Sequence, residues 1–201
     1  MKIGVYGSSF DPITNVHLWT ASTICHRKRL DKVIFLPSSN KRMDKEMNTS
    51  DDHRIAMIKL AIADNPKFEL DTYEMNVLPG LQYTYYTMKY FKEKYPDDEL
   101  YFIMGADLLV DIGEGKWKFG DELVKENKFI VMARNGIDML GAIARSALLR
   151  NHDDQFQLVD KGLAMDISST YIREELRMGG EPRYLLPDAC YFYIKKHGLY
   201  Q

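Results

Sequence analysis

The segment Gly7–His17 combines the residue types that bind a phosphate group. It opens with a Gly-Ser-Ser turn directly after an apolar run, Ile3–Tyr6, which predicts a first β-strand. A helical pattern follows from about Leu18 to Leu30. Such a turn exposes backbone N–H groups, and the helix N-terminus adds about half a positive charge. The segment therefore predicts an anion site, with His17 in the first helical turn and within reach of the same anion.

Two side chains of this segment, Thr14 and His17, are three residues apart and would share one face of the helix start. Thr14 is predicted to cap the helix and to offer its hydroxyl to a phosphate. His17 can donate a hydrogen bond to phosphoryl oxygens. A lone histidine is more often structural, but the neighbouring turn favours a functional one. The turn itself matches neither the GxGxxG dinucleotide pattern nor a Walker loop, because no Gly-Lys-Ser/Thr follows.

A second phosphate-binding candidate lies near the other end of the chain, at Ile167–Arg173. Three small hydroxyl residues, Ser168, Ser169 and Thr170, precede a predicted helix, and Arg173 follows one turn later. Hydroxyls and N–H groups at a helix start suit phosphate oxygens, and an arginine adds a bidentate charged clamp. A plain helix cap with a surface arginine is the alternative interpretation of the same residues.

Composition and charge exclude several classes of protein. The chain has 201 residues and a formal net charge of -2. It therefore lacks the excess of positive charge that would predict a nucleic-acid partner. Cys25 and Cys190 are far apart and form neither a metal-binding pattern nor a disulfide framework. No signal-peptide pattern is present at the start, and no apolar run reaches the length of a membrane span. The expectation is a cytoplasmic protein without a membrane partner.

Strand-like and helix-like segments alternate along the chain, which predicts a parallel sheet covered by helices on both faces. Strands are predicted at Ile3–Tyr6, Lys32–Leu36, Phe68–Leu70, Leu100–Met104, Lys128–Met132 and Phe156–Val159. Helices are predicted at Leu18–Leu30, Asp51–Ala63, Thr84–Lys94, Asp138–Arg150, Ser169–Arg177 and Asp188–Lys196. The expected fold is a single α/β, Rossmann-like domain over residues 1–201 with a small C-terminal helical part. Its ligands should bind at the carboxyl ends of the strands, where Gly7–His17 and the Gly105-Ala106-Asp107 sequence both lie.

The paired motifs near the two ends of the chain resemble those of the nucleotidyltransferase superfamily of adenylyl- and cytidylyltransferases. The first reads Gly-x-x-Phe-Asp-Pro-x-Thr-x-x-His and the second Ile-Ser-Ser-Thr-x-Ile-Arg. Further segments are most similar to bacterial nicotinate-nucleotide adenylyltransferases, and the similarity extends over nearly the whole chain: residues 52–57, 82–87, 102–107, Trp117, 193–194 and 199–200. The resemblance implies transfer of AMP from ATP to nicotinate mononucleotide, giving deamido-NAD and pyrophosphate.

The resemblance also implies roles for individual residues, with His17 and Arg173 as the catalytic pair. The implied ATP-binding residues are Gly7, Ser8, Ser9, Phe10, Asp11, Thr14, His17, Gly105, Asp107, Ile167, Ser168, Ser169, Thr170 and Arg173. The implied mononucleotide site comprises Tyr83, Thr84 and Trp117, with Lys41 or Lys45 from the loop after the second strand. Mg²⁺ is expected mainly on the ATP phosphates, because no carboxylate cluster suggests a dedicated metal site. Family members often self-associate, so the resemblance leaves both a monomer and a homo-oligomer as alternatives.

Two residues depart from the family pattern. Ser8 replaces the second glycine of the usual Gly-Gly turn, and Val16 replaces the glycine of the (H/T)xGH signature. That glycine lets adenine approach the helix closely, so a valine is expected to intrude unless the backbone shifts. Two alternatives follow from this stretch. Thr14–His17 also resembles the Thr-Asn-Gly-His of pantetheine-phosphate adenylyltransferase, and Val16 favours a weakly active nucleotide-binding paralogue.

Overall fold

A six-stranded, entirely parallel sheet forms the centre of the computed structural model, which describes residues 1–40, 47–78, 82–160 and 167–201. The strands are β1 (Lys2–Ser8), β2 (Lys32–Pro37), β3 (Phe68–Leu70), β4 (Glu99–Gly105), β5 (Lys128–Met132) and β6 (Phe156–Val159). They lie in the order β3-β2-β1-β4-β5-β6. Their near-continuous apolar runs are typical of strands buried on both faces. This confirms the predicted α/β, Rossmann-like fold.

The strand order reverses between β1 and β4, at the middle of the sheet. The chain first extends outward from β1 through β2 to β3, and then returns to place β4 on the other side of β1. Val5 of β1 is paired with Ile34 of β2 and with Phe102 of β4. The carboxyl ends of β1 and β4 therefore diverge into different loops and leave a crevice between them, which is where ligands bind in open parallel sheets.

Helices cover both faces of the sheet. They are α1 (Asn15–Arg27), α2 (Asp51–Ile62), α3 (Tyr73–Asn76), α4 (Thr84–Lys94), α5 (Ala106–Gly113), α6 (Gly120–Glu126), α7 (Met139–Arg145), α8 (Ala147–Arg150), α9 (Ser169–Arg177) and α10 (Asp188–His197). Helices α1, α2, α9 and α10 contribute to the hydrophobic cluster on one face, and α4–α8 contribute to the cluster on the other. In the described parts of the chain, no helix is both long enough and apolar enough to span a membrane.

The structure corrects the sequence prediction at several helices. The first helix begins at Asn15 rather than Leu18, because Thr14 caps it. The helix predicted over Asp138–Arg150 is divided at Ser146, whose side chain accepts the Leu149 N–H and starts a new helix. Helices α3, α5 and α6 were not predicted. Each is eight residues or shorter, which leaves little room for a helical period to show in the sequence.

Candidate functional site

The Gly-Ser-Ser turn ends β1 and is held in place by a buried arginine. The Ser9 carbonyl accepts a hydrogen bond of 2.7 Å from Arg54 Nη1, and Arg54 also donates to the Asp51 carboxylate. Arg54 lies on α2 and has no solvent-exposed surface. This fully buried cation, paired with Asp51, fixes the position of the turn backbone through its hydrogen bond to the Ser9 carbonyl.

Sequence reasoning gave Arg54 no role, although a signal was present. Counting along α2, Arg54 is three and four residues before Met57 and Ile58, and these are followed by Ala61 and Ile62. All five residues are buried, so the spacing places the arginine on the apolar face of the helix. A charged residue at a core position needs a specific partner, and here the partners are Asp51 and the turn.

The ring of His17 takes part in the cap of α1. The Thr14 N–H donates to His17 Nδ1 over 3.0 Å, while the His17 N–H donates to Thr14 Oγ1 over 3.4 Å. A backbone N–H can only donate, so Nδ1 must be the acceptor. The neutral ring therefore carries its proton on Nε2. This arrangement supplies a hydrogen-bond donor of fixed tautomer at the start of α1, beside the turn.

Aromatic packing fixes the plane of the same ring. Phe10 meets His17 edge to face, with 5.0 Å between ring centroids, and it contacts Tyr6 at 5.7 Å. Phe10 adopts a left-handed backbone conformation, with φ of 47°, and its side chain is fully buried. The sequence analysis expected Phe10 to line the nucleotide site. The structure places its side chain beneath the His17 ring, where it supports the ring and presents no surface to a ligand.

Asp11 was also expected at the nucleotide, and its carboxylate is occupied by the protein itself. Asp11 Oδ1 accepts from the Tyr200 hydroxyl at 2.6 Å, and Oδ2 accepts from the Asn48 N–H at 2.7 Å. The side chain is only 2% exposed. Burial, together with the adjacent carboxylate, raises the pKa of Tyr200 far above its ordinary value, so its hydroxyl stays protonated and continues to donate. Asp11 therefore ties this loop to two distant segments.

The structure brings the two predicted motifs together. Arg173 Nη1 donates to the Asp11 carbonyl at 2.7 Å, and Ser169 Oγ donates to the Pro12 carbonyl at 2.8 Å. Ser168 caps α9, since its Oγ accepts the Tyr171 N–H. Residues separated by about 160 positions along the chain are thus bonded directly to the loop that carries Thr14 and His17.

Arg173 itself is half-buried and only partly committed to these contacts. Its Nη2 donates to Thr170 Oγ1 at 3.1 Å. Its Nε is buried, and the described residues offer it no hydrogen-bond partner. Thr170 is exposed, while Ile167 packs against the core and anchors the start of the motif. The guanidinium group is therefore held in one orientation beside the loop, where a phosphate could accept from it.

The carboxyl end of β4 supplies a second group of residues. Gly105 precedes α5, and a Cβ atom at this position would lie 2.4 Å from Asp107 Oδ1, so a larger residue would displace that carboxylate. Arg134, which follows β5, lies 3.8 Å from Asp107 Oδ2. Burial raises the pKa of the Tyr6 hydroxyl to about 12, and the nearby positive charge of Arg134 opposes this shift only in part. Sequence reasoning singled out Gly105 and Asp107 but missed Arg134.

An aromatic group lies on the opposite side of the turn. Trp117 packs edge to face against Phe102 of β4 at 6.4 Å, and the Phe102 ring is 3.5 Å from where a Cβ atom on Gly7 would be. Phe119 has φ of 60° and packs against Tyr83 at 5.6 Å. Phe102 therefore connects Trp117 to the Gly-Ser-Ser turn.

The start of α4 belongs to this aromatic group. Tyr83 is the N-cap residue and Thr84 the first helical residue, and no side chain caps the helix. The first turn also has no acidic residue. Its N–H groups and the helix dipole therefore favour an anion at this position. The predicted lysines, Lys41 and Lys45, lie outside the described residues.

Hydrogen-bond donors surround the turn: the His17 ring, the Arg173 guanidinium and the backbone N–H groups. The described residues contain no group of three or more histidine, cysteine, aspartate or glutamate side chains arranged to hold a metal ion. Asp11, which follows the turn, has both carboxylate oxygens hydrogen-bonded within the protein. These donors suit a nucleotide whose phosphates bring their own cation.

Comparison with known proteins agrees with this geometry. The model of the cytidylyltransferase-like family matches residues 5–175, a range that includes both motifs. The chain belongs to this cytidylyltransferase-like family. This confirms the resemblance to the nucleotidyltransferase superfamily.

Full-length relatives of this cytidylyltransferase-like chain carry a more specific name. This chain is 38% identical over 205 residues to the probable nicotinate-nucleotide adenylyltransferase of Clostridium tetani, and the match covers 100% of this chain and 99% of the relative. It is 34% identical over 202 residues to the nicotinate-nucleotide adenylyltransferase of Bacillus subtilis, covering 100% and 98%. The structure of Plasmodium falciparum nicotinic acid mononucleotide adenylyltransferase complexed with NaAD superposes with a TM-score of 0.78 at 26% identity, covering 99% and 97%.

Proposed function

We propose that this protein transfers the adenylyl group of ATP to nicotinate mononucleotide, giving deamido-NAD and pyrophosphate. The full-length relatives named for this reaction support the substrate. The observation that carries the proposal is the direct bonding of the Ser169 and Arg173 side chains to the Asp11–Pro12 carbonyls. That bonding holds the Arg173 guanidinium against the loop that joins the turn to the His17 imidazole.

The reaction needs no covalent enzyme intermediate. A phosphate oxygen of the mononucleotide forms a bond to the α-phosphorus of ATP, and the bond from that phosphorus to the bridging oxygen of the β-phosphate breaks. Pyrophosphate leaves with the electron pair. The nucleophile is already an anion, so the protein contributes by aligning the two substrates and by stabilising negative charge on the transferring group.

Three features of the site can supply that stabilisation. His17 donates from Nε2, because Nδ1 is committed to the Thr14 N–H. Arg173 presents a full positive charge, and the turn amides behind it are fixed by Arg54. We assign ATP to this side, with Gly105 and Asp107 at the edge of β4 for the adenosine. ATP is expected to arrive with Mg²⁺ on its phosphates.

The pyridine ring of the acceptor is assigned to the aromatic group. Trp117 and Tyr83 offer flat faces on which a heterocycle can stack, and Thr84 opens the uncapped turn of α4. Phe102 places Trp117 next to Gly7, so an acceptor stacked on Trp117 would have its phosphate directed toward the nucleotide side. We assign the mononucleotide to these residues on that ground.

An acceptor panel tests the proposal. Pyrophosphate release is measured with ATP and Mg²⁺ in the presence of nicotinate mononucleotide, nicotinamide mononucleotide or phosphopantetheine. Strong release with nicotinate mononucleotide is the expected result. Pyrophosphate release only with phosphopantetheine would support adenylyl transfer but would show that the acceptor is not nicotinate mononucleotide.

Val16 provides the test of the weakly active alternative. It occupies the second position of α1, is half-buried, and directly precedes His17. A Val16→Gly variant that gained a large activity over an almost inactive wild type would show that the valine obstructs the nucleotide. A fully active wild type would show that the valine is accommodated.

Two substitutions at His17 test the roles of its two ring nitrogens separately. In His17→Asn the side-chain oxygen can replace Nδ1 as acceptor for the Thr14 N–H, but the donor at Nε2 is lost. In His17→Gln the amide nitrogen can replace the Nε2 donor. We expect the asparagine variant to fold normally and to lose about 10²-fold or more in turnover, with little change in mononucleotide binding. Equal losses of turnover and binding would contradict the assigned role.

A further inference from the structure

Asn48 connects the Asp11 carboxylate to helix α9. Its backbone N–H donates to Asp11 Oδ2 at 2.7 Å, and its side-chain Nδ2 donates to the same oxygen at 3.4 Å. Its Oδ1 accepts a hydrogen bond of 2.7 Å from Arg177 Nη2. A guanidinium group can only donate, so Arg177 selects the oxygen of the Asn48 amide and leaves the NH₂ group for Asp11.

Helix α9 therefore holds the Asp11 loop at two points. Arg173 binds the Asp11 backbone carbonyl directly, at 2.7 Å. Arg177, one helical turn later, reaches the Asp11 carboxylate through Asn48. Residues four apart lie on the same face of a helix, so both arginines meet the loop from one side. Two attachment points fix the angle between the helix and the loop, whereas a single one would leave the helix free to pivot.

The second attachment matters because the loop and the helix each carry a group assigned to the phosphates. The loop leads from Asp11 to His17, and α9 carries Arg173. The separation of these two elements decides whether the imidazole and the guanidinium reach the same transferring group. Stabilisation by preorganised donors is sensitive to displacements of about 1 Å. A bond that holds the separation constant therefore supports catalysis without touching a substrate.

We infer that Arg177 and Asn48 are positioning residues for adenylyl transfer, which keep the loop that leads to His17 at a fixed distance from Arg173. The inference rests on the proposed function, since the groups that are positioned are those assigned to the transferring phosphate. It extends the second motif by one helical turn, from Arg173 to Arg177. Arg177 is exposed, so its contact contributes little to global stability, and its loss should be seen in catalysis.

The test measures kcat/KM for ATP, at saturating nicotinate mononucleotide, and the melting temperature of wild type, Arg177→Met and Arg177→Lys. Arg177→Met keeps the aliphatic chain and loses the donor. It is expected to lower kcat/KM about fivefold, the contribution of one hydrogen bond. Arg177→Lys should retain most of the wild-type value, because an ammonium group can still donate to Asn48 Oδ1.

Arg145→Met is the matched control. Arg145 is also exposed and also lies in the last turn of its helix, α7, which packs on the other face of the sheet. Both changes to methionine remove a cation from a helix C-terminus and should lower the melting temperature equally. Only Arg177→Met should lower kcat/KM. Equal values of kcat/KM in the two variants would overturn the inference.

Substitutions at Asn48 show whether Arg177 acts through it. Asn48→Asp keeps an acceptor for Arg177 and adds a charge to that pair, but it places a carboxylate oxygen against Asp11 Oδ2. It should lower kcat/KM at least as much as Arg177→Met, and an unchanged or higher value would contradict the inference. A double variant, Asn48→Ala with Arg177→Met, should lose no more than Asn48→Ala alone. Additive losses would show that Arg177 does not act through Asn48.

Binding of ATP with Mg²⁺, measured by calorimetry without an acceptor, separates this inference from the proposed function. If Arg177→Met weakens ATP binding and Arg145→Met does not, but no acceptor gives pyrophosphate release, only the proposed transfer fails. If transfer to nicotinate mononucleotide is rapid and Arg177→Met leaves it unchanged, only the positioning role fails. If the wild type neither binds ATP nor releases pyrophosphate, both fail.

Discussion

Removing a single hydroxyl near the end of the chain should loosen the loop that carries His17. The change is Tyr200→Phe, which preserves the ring and deletes the donor to Asp11 Oδ1 at 2.6 Å. Tyr200 is 7% exposed and Asp11 is 2% exposed, so water cannot easily take the place of the hydroxyl. No other described residue donates to that carboxylate oxygen, whereas Asn48 continues to hold Oδ2.

The size of the effect follows from this environment. A hydrogen bond to a charged, buried group contributes about 2 kcal/mol, and the oxygen left behind is unsatisfied. For a domain of this length each kcal/mol corresponds to roughly 2–4 °C in melting temperature, so a decrease of about 4–8 °C is expected. The carbonyl of Asp11 also binds Arg173, and the looser loop should therefore raise KM for ATP as well.

Thermal and urea denaturation of wild type, Tyr200→Phe and Tyr184→Phe measure the stability change. Tyr184 is the matched control, because it is 80% exposed and loss of its hydroxyl removes no buried contact. KM for ATP is measured on the same three proteins. If Tyr200→Phe unfolds within about 1 °C of the wild type, the Asp11 contact does not stabilise the loop as reasoned here.

Three further predictions concern other parts of the molecule. Arg54→Met should lower the free energy of unfolding by about 3 kcal/mol in urea titrations, since Asp51 and the Ser9 carbonyl lose their buried donor; a loss below about 1 kcal/mol would contradict the role given to this arginine. Gly105→Ala should raise KM for ATP with little change in melting temperature, because the new Cβ atom displaces the Asp107 carboxylate; an unchanged KM would show that Asp107 does not meet the nucleotide. Cys190 should resist thiol reagents at pH 8 until the protein is unfolded, because burial raises its pKa to about 12 and the thiolate is the reactive form; rapid labelling of the native protein would refute this.

Much of the fold was predictable because local signals agree with the tertiary structure. The bounds of β3, β5, β6, α4 and α9 match the prediction at both ends. Apolar runs mark the strands, and α9 carries its own capping serine, Ser168. Helices α5 and α6 lacked such a signal. Helix α5 begins directly at the end of β4, where Gly105-Ala106-Asp107 was predicted only to lie at a ligand-binding strand end, and α6 is seven residues long.

The candidate site was predictable in its location but not in its internal bonding. Spacing and residue type identified both motifs, and the rule for parallel sheets placed Gly7–His17 and Gly105-Ala106-Asp107 at the carboxyl edge. Spacing cannot show that the Asp11 carboxylate turns inward, because its partners, Tyr200 and Asn48, come from residues far along the chain. The donor to Ser9 was missed for the same reason: Arg54 is 45 residues away.

The bonds from Ser169 and Arg173 to the Asp11–Pro12 carbonyls have a consequence for the order of folding. Each of these hydrogen bonds closes a loop of about 160 residues. Closing so long a loop in a disordered chain is entropically unfavourable, so these bonds form only after much of the intervening chain is ordered. The sheet between β1 and β5 can pair before these bonds exist. During refolding, recovery of catalysis should therefore lag behind recovery of secondary structure, which makes activity a reporter of the last steps of assembly.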